Sequence, residues 1–457
     1  MQPHSNNSSR PKLTRRAFVG GTTSAAAALT LLPGRILRAA EAAALPDHTP
    51  LKPIGEAKGI HPGRVVWVHD PQVLEWQGPG DGHWYDAHHL RQERVDRMME
   101  RAVCNLTGEP GTSKAWDKLF RHLNAVRGKG GVGYRTGEKI LIKPNWVGMI
   151  WREGAVDPES YNLVKRQDYM NTAPQMIIAL VRQLAMAGVR ESDITVCDTL
   201  AYRVNEYHSI LHRECPNAHY QDFAGKFGRT KVETSSVPLH WSCRPEGATQ
   251  DYLPTCIAEA DYLVNFATLK AHVATGVTLC GKNHFGSLVR WPVEKGYYDM
   301  HRHSFAKETR HYREQVDLLG HAHLGGKTVL NLIDGLFSGK HPIDPAPRRM
   351  STSPFTGDWA KSLFASQDPV ALDSVCYDVL HAEYDDYPRR PGVDDYLHEA
   401  ALAADPPSGT FYDPDHGTPL KRLSSLGVHE HWNNPTQKEY SRNLGTGAGI
   451  ELLQVTG

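Results

Sequence analysis

Apolar residues recur along this chain with two different periods, and the alternation between those periods sets out the fold. From His88 to Leu106, the residues Leu90, Val95, Met98, Met99, Ala102 and Val103 fall at helical spacing, and Leu119, Leu123 and Val126 mark a second helix. RVVWVHD (Arg64 to Asp70) reads as a β-branched strand. KILIKPN (Lys139 to Asn145) is a continuous apolar run of the kind buried on both faces of a parallel sheet.

The clearest unit follows. Thr172 and Pro174 cap and start a helix with Met176, Ile177, Leu180, Val181, Leu184 and Ala185 on its apolar face, and Gly188 ends it. ITVCD (Ile194 to Asp198) comes next, so strand, helix and strand form a βαβ unit over a parallel sheet. Further strands are predicted at Asp261 to Ala267, Thr328 to Asp334 and Ser362 to Ser366, the last leading into a helix from Pro369 to about Leu380. The fold class is α/β, a mostly parallel sheet flanked by helices, with a loop-rich C-terminal segment. The predicted division is a leader over 1–44, an α/β domain over 45–383, and a loop-rich wrap over 384–457 with a short helix near Tyr396.

The leader changes the picture of where the chain works. Thr14, Arg15, Arg16, Ala17 and Phe18 precede an uncharged Ala-, Thr- and Leu-rich run from Val19 to Pro33, and Ala42, Ala43 and Ala44 supply small residues for cleavage. The run is about 15 residues long, short of the roughly 20 that a spanning helix needs. The expectation is a twin-arginine signal: a protein exported folded, handled by the twin-arginine translocase, periplasmic or secreted, and without a membrane anchor after cleavage.

Charge and cysteine content then exclude partners. The 51 basic and 51 acidic residues cancel, and no basic stripe offers the phosphate neutralisation that binding nucleic acid requires. The seven cysteines contain no C-x-x-C pair, so no iron-sulfur cluster and no ribbon-type zinc site is expected.

Candidate chemistry gathers at the predicted strand ends, where open parallel sheets bind ligands. Lys143 and Asn145 follow one strand, Asp198 another, Lys270 and His272 a third and Asp334 a fourth, with Asp368 and Asp373 around the last helix start. The densest stretch is TLKAHVATGVTLCGKNHFGSLVRW (Thr268 to Trp291). In it Lys270, Lys282, His272 and His284 are candidates for acid–base catalysis, because a buried amine or imidazole beside another cation titrates near neutrality. Lys143, Asn145, Thr275, Thr278 and Asn283 are candidates for holding substrate. Gly276 to Asn283 imitates a phosphate loop, but Asn283 stands where that loop carries Ser or Thr. Asp198, Asp334 and Asp368, with His301 and His303, are the candidate ligands of a divalent metal; the cofactor itself is left open. No nucleophile elbow is present.

The strand ILIKPN, the run ADYLVNFATLKAHVATGVTLCGKNHFGS, the later LNLIDGL and the DPVALD helix start resemble domain of unknown function family 362 over roughly residues 138–381. The resemblance implies an α/β domain, sometimes fused to iron-sulfur modules whose cysteine run is missing here, and brings no general reaction with it. The positions that carry it are Lys143, Asn145, Lys270, His272, Thr278, Lys282, Asn283, Asp334, Asp368 and Asp373.

Together these features predict an exported protein, foremost an enzyme acting on a small anionic or carbohydrate-derived substrate in a Lys-, His- and Asp-lined cleft, with or without a metal. A periplasmic solute- or metal-binding protein without turnover is the second reading. An iron-sulfur-associated redox partner is the third.

Overall fold

A computed structural model describes residues 52–457 apart from 166, 244–247, 302–312 and 342–343. The leader and His303 therefore lie outside the described residues. Among those described, no helix is long and apolar enough to cross a membrane.

The predicted strands assemble side by side. In order across the main sheet they are Glu451–Thr456, Arg64–His69, Ser362–Ser366, Thr328–Gly339, Tyr262–His272, Ile140–Lys143, Ile194–Cys197, His219–Asp222 and Thr230–Lys231. All run parallel except Ser362–Ser366, which lies antiparallel to both of its neighbours. A short strand, Gly276–Thr278, folds back on the end of Tyr262–His272 as an antiparallel hairpin. The α/β reading of the sequence is thus correct.

Continuous apolar strands arise because both faces of this sheet are covered. Val66 and Val68 point into one core cluster and their neighbours Val65 and Trp67 into another, as the two-residue period of a strand requires. Helices Gln92–Thr107, Thr112–Val126 and Pro174–Met186 supply the first cluster. Helix Pro369–Glu383 supplies the second. Four of the tryptophans that stand early in the chain, Trp67, Trp76, Trp84 and Trp146, are buried in these layers.

Two features depart from expectation. Thr172 does not cap the helix it precedes: its hydroxyl donates to the Phe266 carbonyl and accepts from the Asn145 N–H, and the Asp334 carboxylate takes the Ala173 N–H at 2.8 Å instead. The C-terminal segment carries the expected short helix, Asp395–Ala401, but it also returns to the sheet, where Glu451–Thr456 pairs in parallel with Arg64–His69 as an edge strand. The alternation of that strand is half-buried and polar, which hides it from a search for apolar runs.

Candidate functional site

Lys143 ends an apolar strand, and its side chain stays inside the protein, 1 % exposed. The ammonium is matched on all sides: it donates to the Pro144 carbonyl at 2.7 Å, to Asp198 Oδ2 at 3.1 Å and to Asn283 Oδ1 at 3.2 Å. Asp198, from the end of the neighbouring strand, also accepts the Trp146 N–H at 3.1 Å. A buried charge persists only when paired and hydrogen-bonded, and this pair meets that condition.

Asn283 is the hub of the polar layer. Its amide nitrogen donates to the Lys143 carbonyl and to Asn265 Oδ1, while its oxygen accepts from Lys143 Nζ and from Asn145 Nδ2 at 3.0 Å. Asn145 is completed by the Thr268 hydroxyl at 3.3 Å. Asn283 has no capacity left for a ligand in this arrangement, so its part is to lock the strand ends and the short helix Cys280–Asn283 together, whereas Asn145 keeps one N–H for the cavity it lines. Asp373 caps that helix, accepting the Cys280 and Gly281 N–H groups at 2.8 and 3.1 Å.

Above this layer lies a cavity of about 360 Å³, whose polar lining includes Lys143, Asn145, Asp198, His272, Thr278 and Lys282, with Glu153 also on its wall. Its apolar side includes Val147, Ile150, Leu200, Phe285 and Trp291. The Lys282 ammonium sits 4.1 Å from the centre of the Phe285 ring, and no carboxylate lies within ion-pair distance of it among the described residues. Burial first, and then the neighbouring Lys143 charge, push its pKa down to about 7. The Thr278 hydroxyl is buried and has no hydrogen-bond partner among the described residues.

His272 is held in one tautomer. The backbone N–H groups of Ala274 and Thr275 both donate to its Nδ1, at 3.0 and 3.2 Å, so a neutral ring carries its proton on Nε2. Burial and the nearby Lys282 push its pKa well below the ordinary value. The ring is therefore a neutral Nε2–H donor. The His301 ring lies alongside, nearly parallel to it, with ring centroids 6.2 Å apart.

The remaining sequence candidates lie elsewhere. Lys270 is fully buried, with its ammonium on the Met170 carbonyl at 2.9 Å and over the Tyr169 ring; burial and Lys282 push it down to about 7. The Thr275 hydroxyl donates to the Val277 carbonyl within the hairpin turn, so this residue positions His272. His284 faces a different cavity, one bordered by Gly59, Leu319, Gly326 and Gln367. Its Nδ1 meets the Ser287 hydroxyl at 3.1 Å, and burial pushes it down to about 3.

The three aspartates proposed as metal ligands do not form one group. Asp334 binds the N–H groups of Ala173 and Leu336. Asp368 accepts four backbone N–H groups, those of Lys58, Val370, Ala371 and Val428. Because Ser362–Ser366 runs against the other strands, Ser366 lies beside Asn331 and Ser362 beside Gly335. Asp368, just beyond Ser366, thus emerges at the opposite edge of the sheet from Asp198. Among the described residues, the His and Asp groups close enough to hold a metal are Asp86, His88 and His89, and Asp394, His429 and His431.

Sequence reasoning missed Asn265, Thr268 and Gly286. A Cβ on Gly286 would stand 3.0 Å from both Asp198 Oδ1 and Lys143 Nζ, so glycine here makes room for the ion pair. The signal was present for the first two, since an Asn and a Thr inside an otherwise apolar strand need buried partners.

The carboxyl edge of this open sheet thus carries a cavity with cations, a fixed imidazole donor and an apolar wall, at the place where α/β sheets in general receive ligands. The sequence matches the family described as "Domain of unknown function (DUF362)" over residues 140–378, more than half of the chain, and the protein belongs to that family. Comparison with curated proteins finds no match.

Proposed function

We propose that the cavity above Lys143 binds a small organic anion, one carrying a carboxylate, phosphate or sulfate on an apolar or sugar-like body, and that the protein is an enzyme acting on it. One observation carries this reading: Lys282, which has no carboxylate within ion-pair distance among the described residues, lines a largely apolar cavity together with His272, whose Nε2 carries the proton, and Thr278, whose hydroxyl has no partner among those residues either. Three donors lining one cavity suit an acceptor-rich, negatively charged group.

Turnover rests on Lys282. An amine that titrates near 7 can bind an anion as ammonium and take or return a proton as the free base, without the large free-energy cost that an ordinary lysine would face. His272, kept neutral, donates from Nε2 to an oxygen on which negative charge develops. Lys143 and Asp198, already neutralised by each other, set the floor of the cavity and raise no net charge against the ligand.

The location belongs to the same proposal. Export in the folded state fits a site assembled from segments as distant as Lys143, Thr278 and Lys282, which exists only once the sheet has closed. A second reading, a binding protein without turnover, is favoured by one observation: Asp198 and Asn283 are engaged by protein partners, so neither is free to act as a base beside Lys282.

Calorimetric titration of the full chain with a panel of small carboxylates, sugar phosphates and sulfates tests the site. At least one is expected to bind, and Lys282→Gln is expected to weaken it tenfold or more. If no anion binds, or if Lys282→Gln and Thr278→Val both leave affinity unchanged, the site is wrong. Turnover of the ligand that binds then separates enzyme from binding protein.

A further inference from the structure

Outside the region that defines the family, the segment after residue 427 carries the alternation Val428-His429-Glu430-His431-Trp432. Residues two apart in an extended chain share a face, so His429 and His431 point one way and Glu430 the other. The structure has this arrangement. Glu430 accepts from the Ser441 N–H and hydroxyl, while the two imidazoles stand together with ring centroids 4.9 Å apart.

Asp394, at the start of helix Asp395–Ala401, completes the group. Its carboxylate oxygen and one ring nitrogen from each histidine all lie within 4.8 Å of one another, and His431 Nε2 is 3.4 Å from Asp394 Oδ2. Ligands bonded at about 2.0–2.1 Å in a tetrahedron are separated by about 3.3–3.4 Å, so this pair already has the spacing of two zinc ligands.

Two further observations point to an ion. His429 is buried, yet its Nε2 has no hydrogen-bond partner among the described residues. Leaving a buried polar atom unsatisfied is costly, and a metal ion is a partner that accepts its lone pair. The other nitrogen of each ring is meanwhile held: His431 Nδ1 by Asp378 Oδ1 at 2.6 Å, and His429 Nδ1 by the Ser374 hydroxyl at 2.8 Å. Asp378 is itself fixed by the Trp432 N–H and the Tyr440 hydroxyl. A carboxylate behind the distal nitrogen orients the ring and raises its basicity, which is the usual support of a histidine that binds metal.

We propose that Asp394, His429 and His431 bind one divalent first-row metal ion, zinc foremost, with the fourth position beside His398, whose ring centroid lies 4.6 Å from that of His429. The ion ties the C-terminal segment to helix Asp395–Ala401, and it is independent of the Lys282 cavity.

The full chain, stripped with a chelator and titrated with Co²⁺, is expected to take up one ion per chain with the visible absorption of a nitrogen- and oxygen-bound site, which Zn²⁺ then abolishes. His429→Ala with His431→Ala is expected to lower cobalt affinity at least 100-fold. Asp378→Asn, which removes only the support behind His431, is expected to lower it 10- to 100-fold. His88→Ala with His89→Ala, in the other His-containing group, is expected to leave affinity unchanged. Should the double histidine variant fail to fold, Asp394→Asn replaces it, with a loss of tenfold or more expected. No uptake by the unsubstituted chain overturns the site; so does uptake that survives the His429, His431 and Asp394 changes, or uptake that vanishes only with His88 and His89.

Discussion

The Lys143 ammonium lies 3.1 Å from Asp198 Oδ2, and both side chains are buried at the ends of adjacent parallel strands. Breaking one partner of such a pair leaves the other as an uncompensated buried charge. Asp198→Asn is therefore expected to destabilise the protein by about 3–5 kcal/mol. Lys143→Met combined with Asp198→Asn is expected to cost less than the sum of the two single changes. Denaturant midpoints of the four proteins in this cycle measure the coupling, and additivity would show that the pair is not the fixed element described above.

Lys282 has the opposite character, because this partly buried ammonium has no carboxylate within ion-pair distance among the described residues. Lys282→Met removes a charge that the fold holds at a cost, so the thermal midpoint should stay level or rise while anion affinity falls about 10- to 100-fold, the worth of one charged hydrogen bond. Calorimetry and thermal unfolding of the same preparation read both effects. A fall in stability together with retained affinity would place the anion elsewhere.

The pH dependence follows from the same residue. A lysine whose folded pKa is pushed down to about 7 is ammonium below that value and amine above it, so anion affinity should decline as pH rises through about 7. Stability moves the other way. Between about 7 and the ordinary lysine value near 10.4, the unfolded chain holds a proton that the folded chain has released, so this group's contribution to stability rises with pH across that window. Lys270, pushed down to about 7 as well, adds in the same direction. Unfolding midpoints measured from pH 6 to 9 should rise less steeply in Lys282→Met than in the unsubstituted protein.

Asp193 predicts acid sensitivity away from the cavity. Its buried carboxylate accepts from Tyr134 at 2.6 Å, from the Gly137 N–H at 3.0 Å and from the more exposed Lys139 and Arg190. These donors hold its pKa well below the usual carboxylate range despite burial. Its stabilisation is complete above the unfolded value near 3.9 and is lost as pH falls below it. Asp193→Asn is expected to cost about 1–3 kcal/mol at pH 7, and the difference from the unsubstituted protein should shrink steadily as pH falls below about 3.9.

Local pattern was enough to determine the α/β class, the strand Arg64–His69, the βαβ unit through Pro174–Met186 and the presence of polar side chains at strand ends. Strand and helix periods are set by the chain's own geometry, and a sheet buried on both faces writes its strands as apolar runs. Even the strand Ser362–Ser366 could be read, but not its direction, since an apolar run looks the same whichever way it pairs. That direction was decided by packing, and it removed Asp368 from the rim on which Lys143 and Asp198 stand. Tertiary structure alone also decided that Asn283 would be consumed by Lys143, Asn145 and Asn265, that His284 would face another cavity, and that Lys282 would have no counter-ion among the described residues. The residue types at this site are fixed by the sequence, but which donors meet partners and which stay free depends on contacts between segments up to 140 residues apart.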